Sequence, residues 1–349
     1  MTSLVVRKGG KVPFPFTAFV GQSKLKLALL LVAINPDIGG LLVRGEKGTG
    51  KSVLVRALAD ILPSYDYVKG CRFHCTPDNP AFMCEECKTK YEQGEIERSS
   101  AEMQVVNLPL GATEDMVTGT LDVEKALREG VKALQPGLLA KANRNILYID
   151  EINLLPDNLV DVILDAAAMG WNYVEREGVS VTHPSHFVLV GSMNPEEGSL
   201  RPQLLDRLAM SITIHGLENV EKRVEVVRRN LAYLKDPMRF AKQYEEQQRE
   251  LRTKIVNAKE RLEDVEIPEA LISAVAKMGN FLKVDGHRPD IVTVEAAKTL
   301  AAFRNRNVVK PKDIRKTAHF ALAHRTRSGG FLEPASYEEI EKAFEKSYK

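Results

Sequence analysis

Eight consecutive residues, Gly45-Glu46-Lys47-Gly48-Thr49-Gly50-Lys51-Ser52, carry the strongest chemical signal in this chain of 349 residues. They fit the phosphate-binding pattern G-x-x-x-x-G-K-[ST]. Gly45, Gly48 and Gly50, with Thr49 among them, let backbone N–H groups curl round phosphates, and a helix starting near Lys51 adds the positive end of its dipole. Lys51 then reaches the β and γ oxygens and Ser52 holds Mg²⁺, so ATP and Mg²⁺ are the expected cofactors. A plain glycine-rich turn is the bland alternative. It is disfavoured because the octapeptide follows the strand-like Leu41-Leu42-Val43.

Further along stands Asn145-Ile146-Leu147-Tyr148-Ile149-Asp150-Glu151, an apolar strand ending in two acids. At the carboxyl edge of an open α/β sheet, where nucleotides bind, Asp150 would hold Mg²⁺ and Glu151 would polarise an attacking water. Alone, such a pair is more often a solvated strand end; a P-loop upstream changes the balance. Phe187-Val188-Leu189-Val190-Gly191-Ser192-Met193-Asn194 is another buried strand, and Asn194 could orient the lytic water. Asparagine before Pro195 is also an ordinary turn former. In Leu200-Arg201-Pro202-Gln203-Leu204-Leu205-Asp206-Arg207, the last residue suits an arginine finger reaching a neighbour's γ-phosphate in a ring, against a surface salt bridge as the alternative. Asp285-Gly286-His287-Arg288-Pro289-Asp290 opens a helix and makes Arg288 a second phosphate contact, or a plain exposed arginine.

All four cysteines fall in Cys71-x3-Cys75-x8-Cys84-x2-Cys87. Such clustering favours a structural metal, because thiolates hold Zn²⁺ tetrahedrally and close a loop with little core of its own. A redox disulfide, free thiols and an iron–sulfur cluster are the alternatives, and His74 is a substitute ligand.

The elements that must position these groups alternate in a recognisable way. Apolar runs at 40–43, 103–106, 146–149, 187–190 and 210–214 are separated by amphipathic stretches, which predicts a parallel sheet flanked by helices. Leu27 to Ile34 reads as a buried helix, too short to span a bilayer. After about Gly216 the strand-like runs stop and helical spacing takes over, in 221–234 and 239–266, with Pro268, Pro289 and Pro311 placed to begin helices. The expected domains are 1–216, an α/β nucleotide-binding domain with a cysteine loop at about 70–90, and 217–349, a helical domain. A net charge of +2 with acids and bases intermixed provides no nucleic-acid footprint, and a charged share of 28% is ordinary for a soluble chain. Residues 1–11 lack the apolar core of a secretory signal, which predicts a cytoplasmic protein, or an organellar one already without its transit peptide.

In combination these motifs resemble subunit I of magnesium chelatase, over about Pro13 to Arg325. The phrases that carry the resemblance are Phe19-Val20-Gly21-Gln22, Asn35-Pro36-Asp37-Ile38-Gly39-Gly40, Gly119-Thr120-Leu121-Asp122, Gln135-Pro136-Gly137-Leu138-Leu139 and Leu200 through Arg207. The resemblance implies a P-loop AAA+ core with an added hairpin, supplied by Tyr173–Arg176 and Val179–Val181 around Gly178, and a helical insert matching Leu108 to Leu127. A smaller all-helical C-terminal domain follows. Family roles fall on Lys51 and Ser52, Asp150 and Glu151, Asn194 as first sensor, Arg207 as finger and Arg288 as second sensor. The cysteine cluster departs from the family pattern.

As partners, the resemblance implies further copies in a ring, six by AAA+ habit, a second AAA+ subunit with an integrin-like domain, and a large porphyrin-binding subunit. The motor would power insertion of Mg²⁺ into protoporphyrin IX; a cobaltochelatase motor for cobalamin is the alternative. A nucleic-acid motor is a third reading. The hairpin segment argues against it, because Glu175 and Glu177 flank a single Arg176. Neither membrane nor nucleic acid is expected as a partner.

Overall fold

The computed structural model describes residues 12–121, 134–176, 179–328, 331–332 and 334–348. In chain order its strands are β1 (Leu41–Gly45), β2 (Tyr65–Val68), β3 (Arg98–Ala101), β4 (Val105–Leu108), β5 (Gly119–Leu121), β6 (Leu134–Pro136) and β7 (Ile146–Ile149). There follow β8 (Trp171–Arg176), β9 (Val179–Pro184), β10 (Val188–Met193), β11 (Met210–Ile214), β12 (Arg327–Ser328) and β13 (Phe331–Leu332). One five-stranded sheet has the order β11-β1-β10-β7-β4, with β1 parallel to β11 and β7 parallel to both β10 and β4. Parallel strands covered on both faces need unbroken apolar runs. Accordingly β7 and β10 are buried at every position.

Chain contacts divide the protein into two compact units, one of residues up to Leu62 together with Ser192 onward, the other Pro63–Gly191. The first contains β1, β11 and nearly all of the helices expected from periodicity. The apolar run before β1 is a helix, Ser23–Ile34, buried continuously from Ala28 to Ile34. Beyond β11 come the helices Val220–Lys235, Pro237–Gln243 and Glu245–Arg261, the expected second segment being interrupted at Tyr244. Pro268, Pro289 and Pro311 stand where proline is tolerated, at the N-cap of Glu269–Phe281 and in the first turns of Arg288–Phe303 and Pro311–Leu322. The fully buried Asp313 carboxylate takes Arg304 Nη1 at 2.9 Å, Arg306 Nη1 and Nη2 at 2.8 and 2.7 Å, and the Lys310 amide at 2.9 Å. Its four lone-pair sites are thus answered, which is what lets a charge lie in a helical core. This region is not wholly helical, because β12 and β13 form a small antiparallel pair.

The second unit carries three antiparallel ribbons: β2 with β3, β5 with β6, and β8 with β9. The third is the expected hairpin, its turn at 177–178 lying outside the described residues. Two phrases noted in the sequence meet in β5–β6, where Gly119 opposes Pro136 and Thr120 opposes Gln135. A Cβ on Gly137 would stand 2.4 Å from the Val117 carbonyl oxygen, so only glycine admits that approach. Of the helical insert expected over 108–127, the described part holds one short helix, Glu114–Thr118, followed by β5; residues 122–127 are outside the described set.

Candidate functional site

The phosphate-binding loop leaves β1 at Gly45 and enters the Lys51–Ala59 helix through Gly50, whose φ of 81° is left-handed. The helix's first internal bond runs from the Leu54 amide to the Gly50 carbonyl at 3.0 Å, so the amides of its first turn face the loop. Lys51 Nζ lies across the cradle, donating to the carbonyls of Gly45 and, at 3.0 Å, Glu46. Thr49 Oγ1 braces the turn on the Glu46 carbonyl at 2.9 Å. The loop therefore has the donors, the ammonium and the unobstructed backbone that a triphosphate requires.

Phe19 explains one of the quoted phrases. Its ring closes under the loop so tightly that a Cβ on Gly50 would stand 2.5 Å from Cζ. Gly50→Ala should therefore weaken nucleotide binding by roughly tenfold or more, since left-handed strain alone costs about 1–2 kcal/mol. Titration with a fluorescent ATP analogue checks this; unchanged affinity would show that the cradle is not where nucleotide binds.

Asn194 follows β10 and is buried, 4% exposed, with Oδ1 accepting from the Glu196 amide at 3.3 Å. Its oxygen thus makes the turn expected of Asn before Pro, whatever its nitrogen does. Lys47 of the phosphate loop pairs with Glu197 at 2.5 Å, tying the turn after β10 to that loop.

Arg207 ends the Pro202–Arg207 helix and is half-buried. Arg288, which opens the Arg288–Phe303 helix, shares its electrostatic field: burial first, then the Arg207 charge, lower the Arg288 pKa, with Asp206 acting in the opposite sense. Arg288 Nη2 also approaches Gly39, where an added Cβ would lie 3.8 Å from it. Asn35, in the same phrase as Gly39, donates through Nδ2 to Glu295 Oε2 at 3.2 Å and Thr299 Oγ1 at 3.3 Å, holding the Arg288–Phe303 helix.

Sequence reasoning passed over Arg325. Its guanidinium, 4% exposed, donates to the carbonyls of Asp206 at 2.9 Å, Leu208 at 2.7 Å, Ala209 at 2.9 Å and Ala321 at 2.8 Å. Three of those carbonyls surround the end of the Arg207 helix. The adjacent His324 adds a fourth contact, from Nε2 to the Leu208 carbonyl at 3.3 Å. Burial pulls the Arg325 pKa down to about 10, with Arg288 acting in the same sense, yet it stays charged at neutral pH. No local pattern marks a buried arginine, so only the assembled fold exposes this one.

In the second unit, β7 delivers Asp150 and Glu151. Tyr148, 2% exposed and two residues before Asp150 on the same strand face, donates from its hydroxyl to Asp150 Oδ1 at 3.0 Å. Glu151 has φ 53° and ψ 52°, a left-handed conformation that costs a non-glycine residue about 1 kcal/mol or more and ends the strand. The signal for Tyr148 lay in the period of two along a strand, combined with a polar tip on a buried side chain.

The four cysteines converge in this unit, all Sγ atoms within 4.8 Å of one another and none in a disulfide. His74 does not join them: Nδ1 is 3.0 Å from the Tyr65 hydroxyl and the ring stacks on Tyr67 at 4.1 Å.

With this geometry, the chain is similar to several known proteins. A family model described as "Magnesium chelatase, subunit ChlI" matches residues 119–203, and one described as "AAA lid domain" matches residues 276–343. The "Magnesium-chelatase subunit ChlI homolog" of Methanocaldococcus jannaschii is 53% identical over 321 residues, 92% of this chain and 87% of the relative. ChlI of Synechocystis is 49% identical over 342 residues, 98% of this chain and 96% of the relative. Among solved structures, the BchI–BchD complex of magnesium chelatase aligns with a TM-score of 0.54 and 43% identity, covering 96% of this chain and 100% of that one. An ATPase-like protein from Cytophaga hutchinsonii aligns with a TM-score of 0.60 at 18% identity over 95% of this chain and 89% of that one, a likeness of fold alone. Among the described residues no helix is long and apolar enough to cross a membrane.

Proposed function

The chain belongs to the family of magnesium chelatase ChlI subunits, and from that premise we propose that it is the AAA+ ATPase that powers insertion of Mg²⁺ into a tetrapyrrole. The observation that carries this is a complete phosphate-binding loop, with its acids and arginines in order, in a chain 53% identical to a ChlI homolog over 92% of its length. The Gly45–Ser52 loop holds the nucleotide: Lys51 and the first-turn amides bind phosphate oxygens, and Ser52 and Asp150 would hold the Mg²⁺ of MgATP, supplying charge neutralisation at the phosphates. Tyr148 orients Asp150. Glu151 positions the attacking water and accepts its proton, and Asn194, its oxygen committed to the turn, offers its amide nitrogen to the same water. Arg207 and Arg288 reach the nucleotide of a neighbouring copy and stabilise charge as the phosphoryl group leaves.

Residues 1–216 serve as the nucleotide-binding domain and 217–349 as the lid. A hexameric ring, a second chelatase subunit of AAA+ and integrin type, and a large porphyrin-binding subunit complete the machine, in the cytoplasm. Self-association is supported by the Val220–Lys235 helix, which buries no residue and exposes Val220, Val224, Val227, Leu231 and Leu234 at 66, 49, 58, 62 and 69%. That heptad-like spacing forms one apolar stripe, which another chain would cover. A Zn²⁺ or iron–sulfur group on the cysteines takes no part in this ATPase chemistry.

Reconstitution tests the proposal. The purified chain with the partner subunits of its own genome, a porphyrin and ATP should shift the porphyrin absorption spectrum when Mg²⁺ is supplied. A shift with Co²⁺ alone would make it a cobaltochelatase motor, and DNA-stimulated hydrolysis without any metal insertion would defeat the chelatase reading.

A further inference from the structure

We propose that Cys71, Cys75, Cys84 and Cys87 bind one Zn²⁺, and that this ion fastens the loop between β2 and β3 to the base of the β8–β9 hairpin. Geometry selects a single ion. Four thiolates at about 2.3 Å from a tetrahedral Zn²⁺ stand roughly 3.8 Å apart. The four Sγ atoms here already lie within 4.8 Å of one another, so a small contraction brings them onto one centre. An iron–sulfur cubane places four irons and four sulfides between its thiolates and needs a wider cage than this.

Local backbone supports thiolates at these positions. The Phe73 amide donates to Cys71 Sγ at 3.4 Å and the Cys84 amide to Cys75 Sγ at 3.1 Å, contacts that favour anionic sulfur. Cys84 stands at the N-cap position of the Glu85–Glu92 helix and Cys87 lies in its first turn, at the positive end of the dipole. The three residues between Cys71 and Cys75, one more than in the tightest metal-binding knuckles, are taken up by His74 in the left-handed region at φ 49°. The loop also has little else to hold it. From Lys69 to Glu97 the buried side chains are Phe73, Cys75, Pro77, Met83, Cys84 and Cys87, so half of the residues this segment buries are cysteines.

The contacts of the loop lead to the hairpin. Phe73 stacks on His183 of β9, ring centres 4.5 Å apart and planes 7° from parallel. Val174 of β8 belongs to the same buried cluster as Cys75, Cys84 and Cys87, and Val181 of β9 packs on it. Asn143 Nδ2 donates to the Phe73 carbonyl at 2.7 Å while its Oδ1 accepts from the His186 amide at 2.9 Å, joining the loop to the chain just after β9. His183 is fully buried and held between Asn172, which donates to Nε2 at 3.0 Å, and the Pro184 carbonyl, which accepts from Nδ1 at 2.9 Å. A metal that fixes Phe73 therefore fixes the hairpin base.

The full-length chain, purified under reducing conditions without chelator, should contain about one zinc per polypeptide by elemental analysis and neither iron nor sulfide. Titration of the thiols with a mercurial should release that zinc stoichiometrically. Replacement of zinc by Co²⁺ should produce the visible bands of a tetrahedral cobalt thiolate, a readout that needs no variant to fold. On metal removal, hydrogen exchange should rise at 69–97 and 171–184 and stay unchanged at 45–52, with ATP still bound; Cys84→Ser/Cys87→Ser should reproduce this. Iron in place of zinc, a disulfide, or four freely reactive thiols with no metal would overturn the site. Metal loss that leaves exchange at 171–184 unaltered would overturn the fastening role.

Discussion

Arg207→Ala should slow ATP hydrolysis by about 10³ while changing nucleotide affinity only a few-fold. The physical case starts from two guanidiniums in one unit. Burial first, then the Arg207 charge, lower the Arg288 pKa, and Asp206 acts in the opposite sense. The anion that gains most from a guanidinium here is the one whose equatorial oxygens gather charge in the transition state. Truncating Arg207 removes that differential stabilisation but leaves the phosphate loop, which supplies ground-state binding, untouched. Steady-state turnover and analogue binding measured side by side separate the two effects. Mixing Arg207→Ala with Lys51→Ala should yield assemblies faster than either variant alone, because an intact finger then faces an intact loop across a subunit boundary. Wild-type turnover in Arg207→Ala would remove the finger assignment.

The second large effect is on stability. Arg325→Met should cost roughly 3–5 kcal/mol, because four carbonyl oxygens share one buried guanidinium and the loss of that charge leaves only the Leu208 carbonyl its second contact, from His324. In a domain of this size that corresponds to a fall in melting temperature on the order of 10 °C. Arg325→Lys should recover part of it, since an ammonium has three donors but lacks the planar fork that spans Asp206, Leu208 and Ala209. Below the melting transition, the Met variant should also hydrolyse ATP more slowly, because the carbonyls released are those that anchor the Arg207 helix. Thermal denaturation followed by circular dichroism, with turnover at a temperature where each variant remains folded, checks both. A Met variant as stable and active as the parent would show that this guanidinium anchors nothing.

Much of the candidate site is legible in the order of residue types alone. The phosphate loop, the strand ending in Asp150 and Glu151 and the strand ending before Asn194 each announce themselves by residue types at short, fixed spacing. β7 spans the expected 146–149, while β4 begins two residues later than its apolar run, at Val105, because the Asn145 side chain already engages the Gln104 amide at 2.8 Å. The small β12–β13 pair escaped notice because strands of two residues carry no periodicity to read. Asn194 shows both of its candidate natures at once, since a side chain has two polar atoms and the turn uses one.

What the chain by itself determined, then, is local chemistry: which segments curl round phosphate, which end in acids, which four thiols lie near enough in sequence to share a metal. Tertiary structure alone decided the long-range partnerships. Arg325 meets Asp206 across 119 positions, Phe19 closes on Gly50, and Asn143 reaches Phe73 across 70. The reason is physical. Hydrogen-bond spacing along a helix or strand repeats every few residues and leaves a pattern in the sequence, whereas a contact between distant segments arises from the summed packing of everything between them and leaves none.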